Sequence, residues 1–290
     1  MKTIFQLLAF AVALLLTACG ENSRNTGDDR SIYVSIAPLK AVAEAIMGDD
    51  FPIVVLVPAG ASPESFEPTP KQFIGLNRAR LILNVGLLDF EQNLLQKVER
   101  QEKIVDLSRG IDIIAGCCSH SHAGHRHAHG VDPHVWTSPR ALRIMARNAY
   151  EAIHAAFPDS TRYTIRFEQF DERLEALDRS VGERIARSGM RRFLIYHPAL
   201  TYYARDYGIE QLSIEHEGKE PSARRLAELI ETGRREGIRN VFYQSQFPAS
   251  SVEIIARDLG GEAVAIDPLA EDVVRNIESI TSQICDRSNE

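Results

Sequence analysis

The sequence predicts an α/β protein of two lobes, each a mainly parallel four-stranded sheet flanked by helices, joined by one long backbone helix. Short β-branched runs alternate with amphipathic stretches from Ser31 onward, and a second alternating series follows residue 189. Between the two series, residues 159–188 keep an unbroken helical period.

In the first series the strand-like runs are 32–36, 53–57, 81–85 and 104–107, with helix-like stretches near 38–47, 70–79 and 90–100. Residues 110–131 then form a Gly/Ser/His-rich loop too long for an ordinary connection. After Asp132-Pro133-His134 come two helical stretches separated by Phe157-Pro158. In the second, Ile165, Phe170, Leu174, Leu177, Val181 and Ile185 recur at helical spacing, and a helix over 159–188 would extend ~45 Å, long enough to run the length of the molecule. The second series predicts strands near 192–196, 210–214, 241–244 and 262–266 and helices near 199–206, 222–236, 249–259 and 271–285. Pro221-Ser222 and Pro248 lie near helix starts, where a missing N–H does little harm.

The first eighteen residues carry one charge, Lys2, and an apolar run of h-region length that ends in Leu16-Thr17-Ala18-Cys19. This reads as a signal peptide (1–18) closed by a sequence that resembles the bacterial lipobox, with Cys19 the lipidated residue. Residues 19–30 are a polar tether. The expected division continues with an N-terminal lobe at 31–138 containing a His-rich loop (116–131), a helical connector at 139–188 and a C-terminal lobe at 189–290. Location outside the cytoplasm, periplasmic or at the cell surface, with membrane contact through the lipid, follows from that leader. Residues 19–290 carry 32 basic and 40 acidic side chains, a formal charge of −8 that argues against nucleic acid as a partner. Beyond Cys19 there are three cysteines, Cys117, Cys118 and Cys285, which make no disulfide framework, although Cys285 could pair with one of the others.

Four positions carry groups able to bind a metal: Glu64, His134, His197 and Asp267. All except His134 follow a predicted strand, where ligands gather in open α/β sheets, and proline adjoins all four. Taken singly, each has an ordinary explanation: an Asp after a strand caps a turn, a lone His satisfies a polar contact, and Glu64 is a solvated charge.

Taken in order, the segments Pro58-Ala59-Gly60-Ala61-Ser62-Pro63-Glu64-Ser65-Phe66-Glu67-Pro68, Asp132-Pro133-His134-Val135-Trp136, His197-Pro198-Ala199 with Tyr202, and Asp267-Pro268-Leu269 resemble a known family. It is that of the zinc and manganese solute-binding lipoproteins of bacterial ABC importers, the ZnuA/TroA-like family (cluster A-I). The resemblance covers essentially the whole chain after the leader. It implies two lobes bridged by a long helix, a divalent metal held between them, and an ABC permease as membrane partner for a monomeric binding protein. It also implies that His134, His197 and Asp267 stand where the family's second, third and fourth ligands stand. Glu64 departs from the pattern, occupying the place usually held by His. A carboxylate oxygen still reaches Zn²⁺ at ~2.0–2.2 Å.

With Glu64 and Asp267 both coordinating, two neutral histidines and M²⁺ would form a formally neutral site, and its oxygen share would favour Mn²⁺ or Fe²⁺. His120, His122, His125, His127 and His129 pull the other way, because a His-rich tract suits Zn²⁺, and family members that bind zinc carry such a loop. Zinc is therefore the expected metal, with manganese or iron the alternative. The loop and Cys117/Cys118 are auxiliary candidates. Trp136, Phe66, Tyr202 and Tyr203 are expected to pack around the site, and Glu215-His216-Glu217 to sit behind it or on the surface. A zinc hydrolase needs an open coordination position and a general base, and no His-Glu-x-x-His or Gly-x-Ser-x-Gly is present, so no enzyme is expected. The resemblance also implies homologues once described as adhesins, but the same ligand motifs point back to transport. Histidine must be neutral to coordinate, so affinity is expected to fall as pH drops through about 6.5.

Overall fold

The computed structural model describes residues 30–115, 130–158, 161–215, 219–247 and 249–286. The predicted leader, Cys19, Cys117, Cys118, the five loop histidines, His216, Glu217 and Pro248 lie outside the described residues. Strands β1 (Ile32–Val34), β2 (Ile53–Val55), β3 (Leu81–Asn84) and β4 (Ile104–Asp106) form one sheet in the order β2-β1-β3-β4. Strands β5 (Arg192–Ile195), β6 (Glu210–Ser213), β7 (Val241–Gln244) and β8 (Ala263–Ile266) repeat the arrangement as β6-β5-β7-β8. Every pairing is parallel. The alternation in the sequence therefore reports βα units, and the central strand β3 is buried at all four residues because helices cover both faces of its sheet.

In each sheet the strand order reverses beside the first strand of that lobe, between β1 and β3 and between β5 and β7. Loops leaving the carboxyl ends of the strands at such a point splay apart and leave a crevice. The helices that pack these sheets are α1 (Ala37–Met47), α2 (Pro70–Arg78) and α3 (Asp89–Leu95) in the first lobe, with α6 (Thr201–Tyr207), α7 (Ala223–Glu236), α8 (Ala249–Asp258) and α9 (Val273–Asp286) in the second. Local chemistry sets their starts. Thr69 and Gln72 form a capping box before α2, and the Ser222 hydroxyl accepts from the N–H of Arg225 at the start of α7.

Two helices connect the lobes, α4 (Pro139–Ala156) and α5 (Thr161–Ser188). Along α5, Tyr163, Phe167, Phe170, Leu174, Leu177, Val181 and Ile185 are buried, and each such large side chain contributes roughly 1.5–3 kcal/mol when withdrawn from water. This stripe packs on α1 and α4 on the N-terminal side and on α9 on the C-terminal side, so α5 belongs to both lobes. Ile165 does not join it. At 54% exposure it faces solvent, because Tyr163 and Phe167, four residues apart, already define the buried face and a residue between them projects away. Among the described residues, no helix is long and apolar enough to cross a membrane.

Further contacts tie the lobes together at the crevice. The indole N–H of Trp136 donates to the Pro268 carbonyl at 2.9 Å, and the Lys40 ammonium meets Glu271 at 2.6 Å. The Ser138 hydroxyl, at the N-cap of α4, donates to Asp206 on α6.

Candidate metal centre

Three predicted residues meet in the crevice. Glu64 lies in the loop between β2 and α2, where its backbone N–H donates to the Ser62 hydroxyl at 3.3 Å. His134 precedes a short 3-10 turn (Val135–Thr137), and His197 follows β5 by two residues. One donor atom from each lies within 4.8 Å of the others. His197 Nε2 is 2.8 Å from Glu64 Oε1, and His134 Nε2 is 4.0 Å from the same oxygen. Both histidines are buried and the Glu64 side chain is 15% exposed.

Each imidazole is held from behind by a carboxylate. Asp132 Oδ1 stands 2.9 Å from His134 Nδ1 and accepts the His134 backbone N–H at 2.9 Å, so one oxygen fixes both ring and chain. Glu215 Oε2 stands 3.1 Å from His197 Nδ1. With both Nδ1 atoms engaged, the two Nε2 atoms face Glu64 and one another, the arrangement in which a carboxylate orients a metal-binding histidine and raises its basicity. Tyr202, on α6 of the second lobe, donates from its hydroxyl to the Asp132 carbonyl at 2.8 Å and accepts from the Ile114 N–H at 3.1 Å. The segment bearing His134 is thus anchored by the opposite lobe.

Burial opposes charging His197, but hydrogen bonds and negative charge from Glu215 and Glu64 outweigh it and push the ring up to about 9. Asp132 is buried as well, yet the neighbouring His134 holds its carboxyl below the usual aspartate value. Ligand atoms around tetrahedral zinc sit ~3.3 Å apart, between the 2.8 and 4.0 Å that separate Glu64 Oε1 from the two imidazole nitrogens, and all three donors lie within 4.8 Å of one another, so modest side-chain shifts would close them around a divalent cation. The donor set fits such an ion.

Asp267 is not brought to this cluster. It is exposed at the end of β8, where its Oδ1 accepts from the Leu269 N–H at 3.0 Å and its carbonyl accepts from Asn276 at 2.7 Å. The neighbouring Pro268 and Leu269 do line the cavity. Among the predicted packing residues, Trp136 lines it too, whereas the Tyr203 hydroxyl pairs with Thr281 at 2.9 Å and Phe66 packs edge-on against Phe90. Phe247, unremarked in the sequence, stacks on the His197 ring with centroids 5.1 Å apart. An aromatic just past a strand end, next to Pro248, is the signal that marks it.

Residues 32–282 match the family model of ZnuA, described as the periplasmic component A of a zinc-uptake complex. The chain belongs to this family. The relatives it matches are named as metal-binding proteins. It is 27% identical over 280 residues to the zinc-binding lipoprotein AdcA of Streptococcus pneumoniae, covering 93% of this chain. The chain spans 56% of the length of that relative. A crystal structure of ZnuA superposes with a TM-score of 0.81 at 33% identity, covering 89% of this chain and 99% of the other. A ZnuA deletion mutant with zinc bound superposes at 0.79, again at 33% identity, over 89% and 97% of the two chains.

Proposed function

We propose that this protein captures Zn²⁺ between its lobes through Glu64 Oε1, His134 Nε2 and His197 Nε2, and delivers it to an ABC permease as a lipoprotein anchored at Cys19. The observation that carries the reading is the convergence of three donor atoms in a buried crevice, with a carboxylate behind each imidazole. The zinc named for AdcA and for the ZnuA deletion mutant supports the choice of metal.

Glu64 with two neutral imidazoles leaves a formal +1 around M²⁺. Asp132 and Glu215 supply two more negative charges at one remove, so the ion is enclosed without a fourth charged ligand in contact. The oxygen of Glu64 favours a second reading, Mn²⁺ or Fe²⁺ in the same site, and that oxygen is the specific feature that supports it. Chelator-stripped protein titrated against Zn²⁺ and Mn²⁺ with a competing indicator tests both readings. One equivalent of tightly bound Zn²⁺, lost in His197→Ala with the fold intact, is expected. One-to-one binding retained by that variant would refute the site, and tighter Mn²⁺ than Zn²⁺ would favour the second metal.

A further inference from the structure

We propose that Gln244 is a positioning residue of the metal site, its side-chain oxygen accepting a hydrogen bond from the water that completes the coordination of the captured ion. The inference rests on the metal-capture reading above and adds to it a residue absent from the ligand motifs.

Gln244 closes β7, the strand beside β5 at the point where the second sheet reverses its order. Ile195 pairs with Phe242 in that ladder, so two residues further along each strand Gln244 comes abreast of His197. The side chain confirms the register: Nε2 donates to the His197 carbonyl at 3.0 Å. That bond fixes which end of the amide faces away from His197, and it is the oxygen.

Gln244 is 3% exposed, and its Oε1 is buried with no hydrogen-bond partner among the described residues. Buried acceptors in native proteins are ordinarily satisfied, so this oxygen calls for a donor beyond the described residues. Gln244 lines the same cavity as Glu64, His134 and His197, which has about 30 Å³ of room, enough for an ion together with a water. Three protein donors leave a zinc ion one position short of four, which a water fills. Metal-bound water is polarised and donates strongly, matching the lone acceptor.

The test compares wild type with Gln244→Met, Gln244→Glu and Asp267→Asn, each stripped and reloaded with Zn²⁺ for competition titration and with Co²⁺ for its visible ligand-field spectrum. Both Gln244 variants lose the bond to the His197 carbonyl, but only Glu keeps an oxygen acceptor. Gln244→Met is expected to weaken Zn²⁺ binding 10- to 100-fold and to shift the Co²⁺ bands, while Gln244→Glu and Asp267→Asn keep near wild-type spectra. If Gln244→Met does not fold, Gln244→Asn, which withdraws the oxygen by one methylene, is expected to show the same shift.

Wild-type affinity and spectrum in the Met or Asn variant would overturn the proposal. So would equal losses in Met and Glu with unchanged spectra, which would place the effect in the His197 carbonyl, or a spectral shift only in Asp267→Asn. Failure of wild type to bind one equivalent, or retention of it by His197→Ala, would instead overturn the capture reading itself.

Discussion

Glu215 Oε2 lies 3.1 Å from Nδ1 of His197, on the opposite side of the ring from Glu64, so this imidazole is gripped by a carboxylate at each nitrogen. Glu215→Gln keeps the shape and removes the charge. Zn²⁺ affinity is expected to fall about 10- to 100-fold, with His197 titrating lower in the metal-free protein. Competition titration gives the first effect and an NMR pH titration of the His197 ring the second. Unchanged values in both would show that Glu215 does not tune the ring.

The same grip sets the pH response. His197 in the metal-free protein is pushed up to about 9, so at pH 7.5 Zn²⁺ must displace a proton from it. Apparent affinity is expected to rise about tenfold per pH unit from 7 toward 9, whereas the sequence alone predicted loss only below about 6.5. Calorimetry at pH 7.5 in buffers of different ionisation enthalpy should reveal about one proton released per Zn²⁺; none released would contradict the raised value. Stability follows the same linkage. With the folded-state value raised, this histidine stabilises the metal-free protein fully below about 6.5, and that contribution is lost as pH rises through about 9. Thermal melts of stripped protein across that window check the sign.

Much of this was legible in the sequence, for identifiable reasons. Parallel strands such as β3, covered on both faces, read as apolar runs, so the two series of βα units were visible. The face of α5 was harder. Ile165 matched the helical period only loosely, and the choice between it and Tyr163 depends on what packs opposite. At the site, Glu64, His134 and His197 had ordinary explanations singly and were drawn together by the ordered motifs of the family resemblance. Gln244 and Phe247 were not, because their roles depend on β7 lying beside β5, a pairing made across 46 residues or more. Asp267 carries the family motif, but with a backbone N–H two residues on it forms a local turn, which is the commonplace use of an Asp before Pro.

Glu64 replaces the usual histidine, and reversing the replacement tests what the oxygen contributes. Glu64→His should lower Mn²⁺ affinity relative to Zn²⁺ by tenfold or more, since imidazole suits zinc and carboxylate suits manganese. It also removes the anion 2.8 Å from His197 Nε2, so the His197 value should drop. Parallel titrations with both metals measure the ratio. An unchanged ratio would show that Glu64 does not set metal preference.

Ala115 and Val131, on either side of the His-rich sequence, are paired in an antiparallel bridge, with the Asp132 N–H donating to the Ile114 carbonyl at 3.0 Å. These flanking residues are therefore joined to each other, next to Asp132, which holds His134. Deleting 116–129 with a short Gly linker is expected to leave one tight Zn²⁺ equivalent while removing any weaker additional equivalents. Loss of the tight equivalent would move part of the primary site into the loop.

Tyr202 offers a separate test of how the lobes hold the site. Its hydroxyl spans from α6 to the Asp132 carbonyl and the Ile114 N–H, and Asp132 in turn orients His134. Tyr202→Phe keeps the ring packed and strands the buried Asp132 carbonyl and the half-buried Ile114 N–H, so the metal-free protein should lose about 1–3 kcal/mol of stability. Because no ligand atom is removed, the site should still take one equivalent of Zn²⁺, but with His134 less firmly held its release to a chelator should be faster. Stopped-flow release measures this directly. A variant that is less stable yet releases metal at the wild-type rate would confine Tyr202 to folding, and would mean that the Asp132–His134 pair keeps its geometry without the opposite lobe.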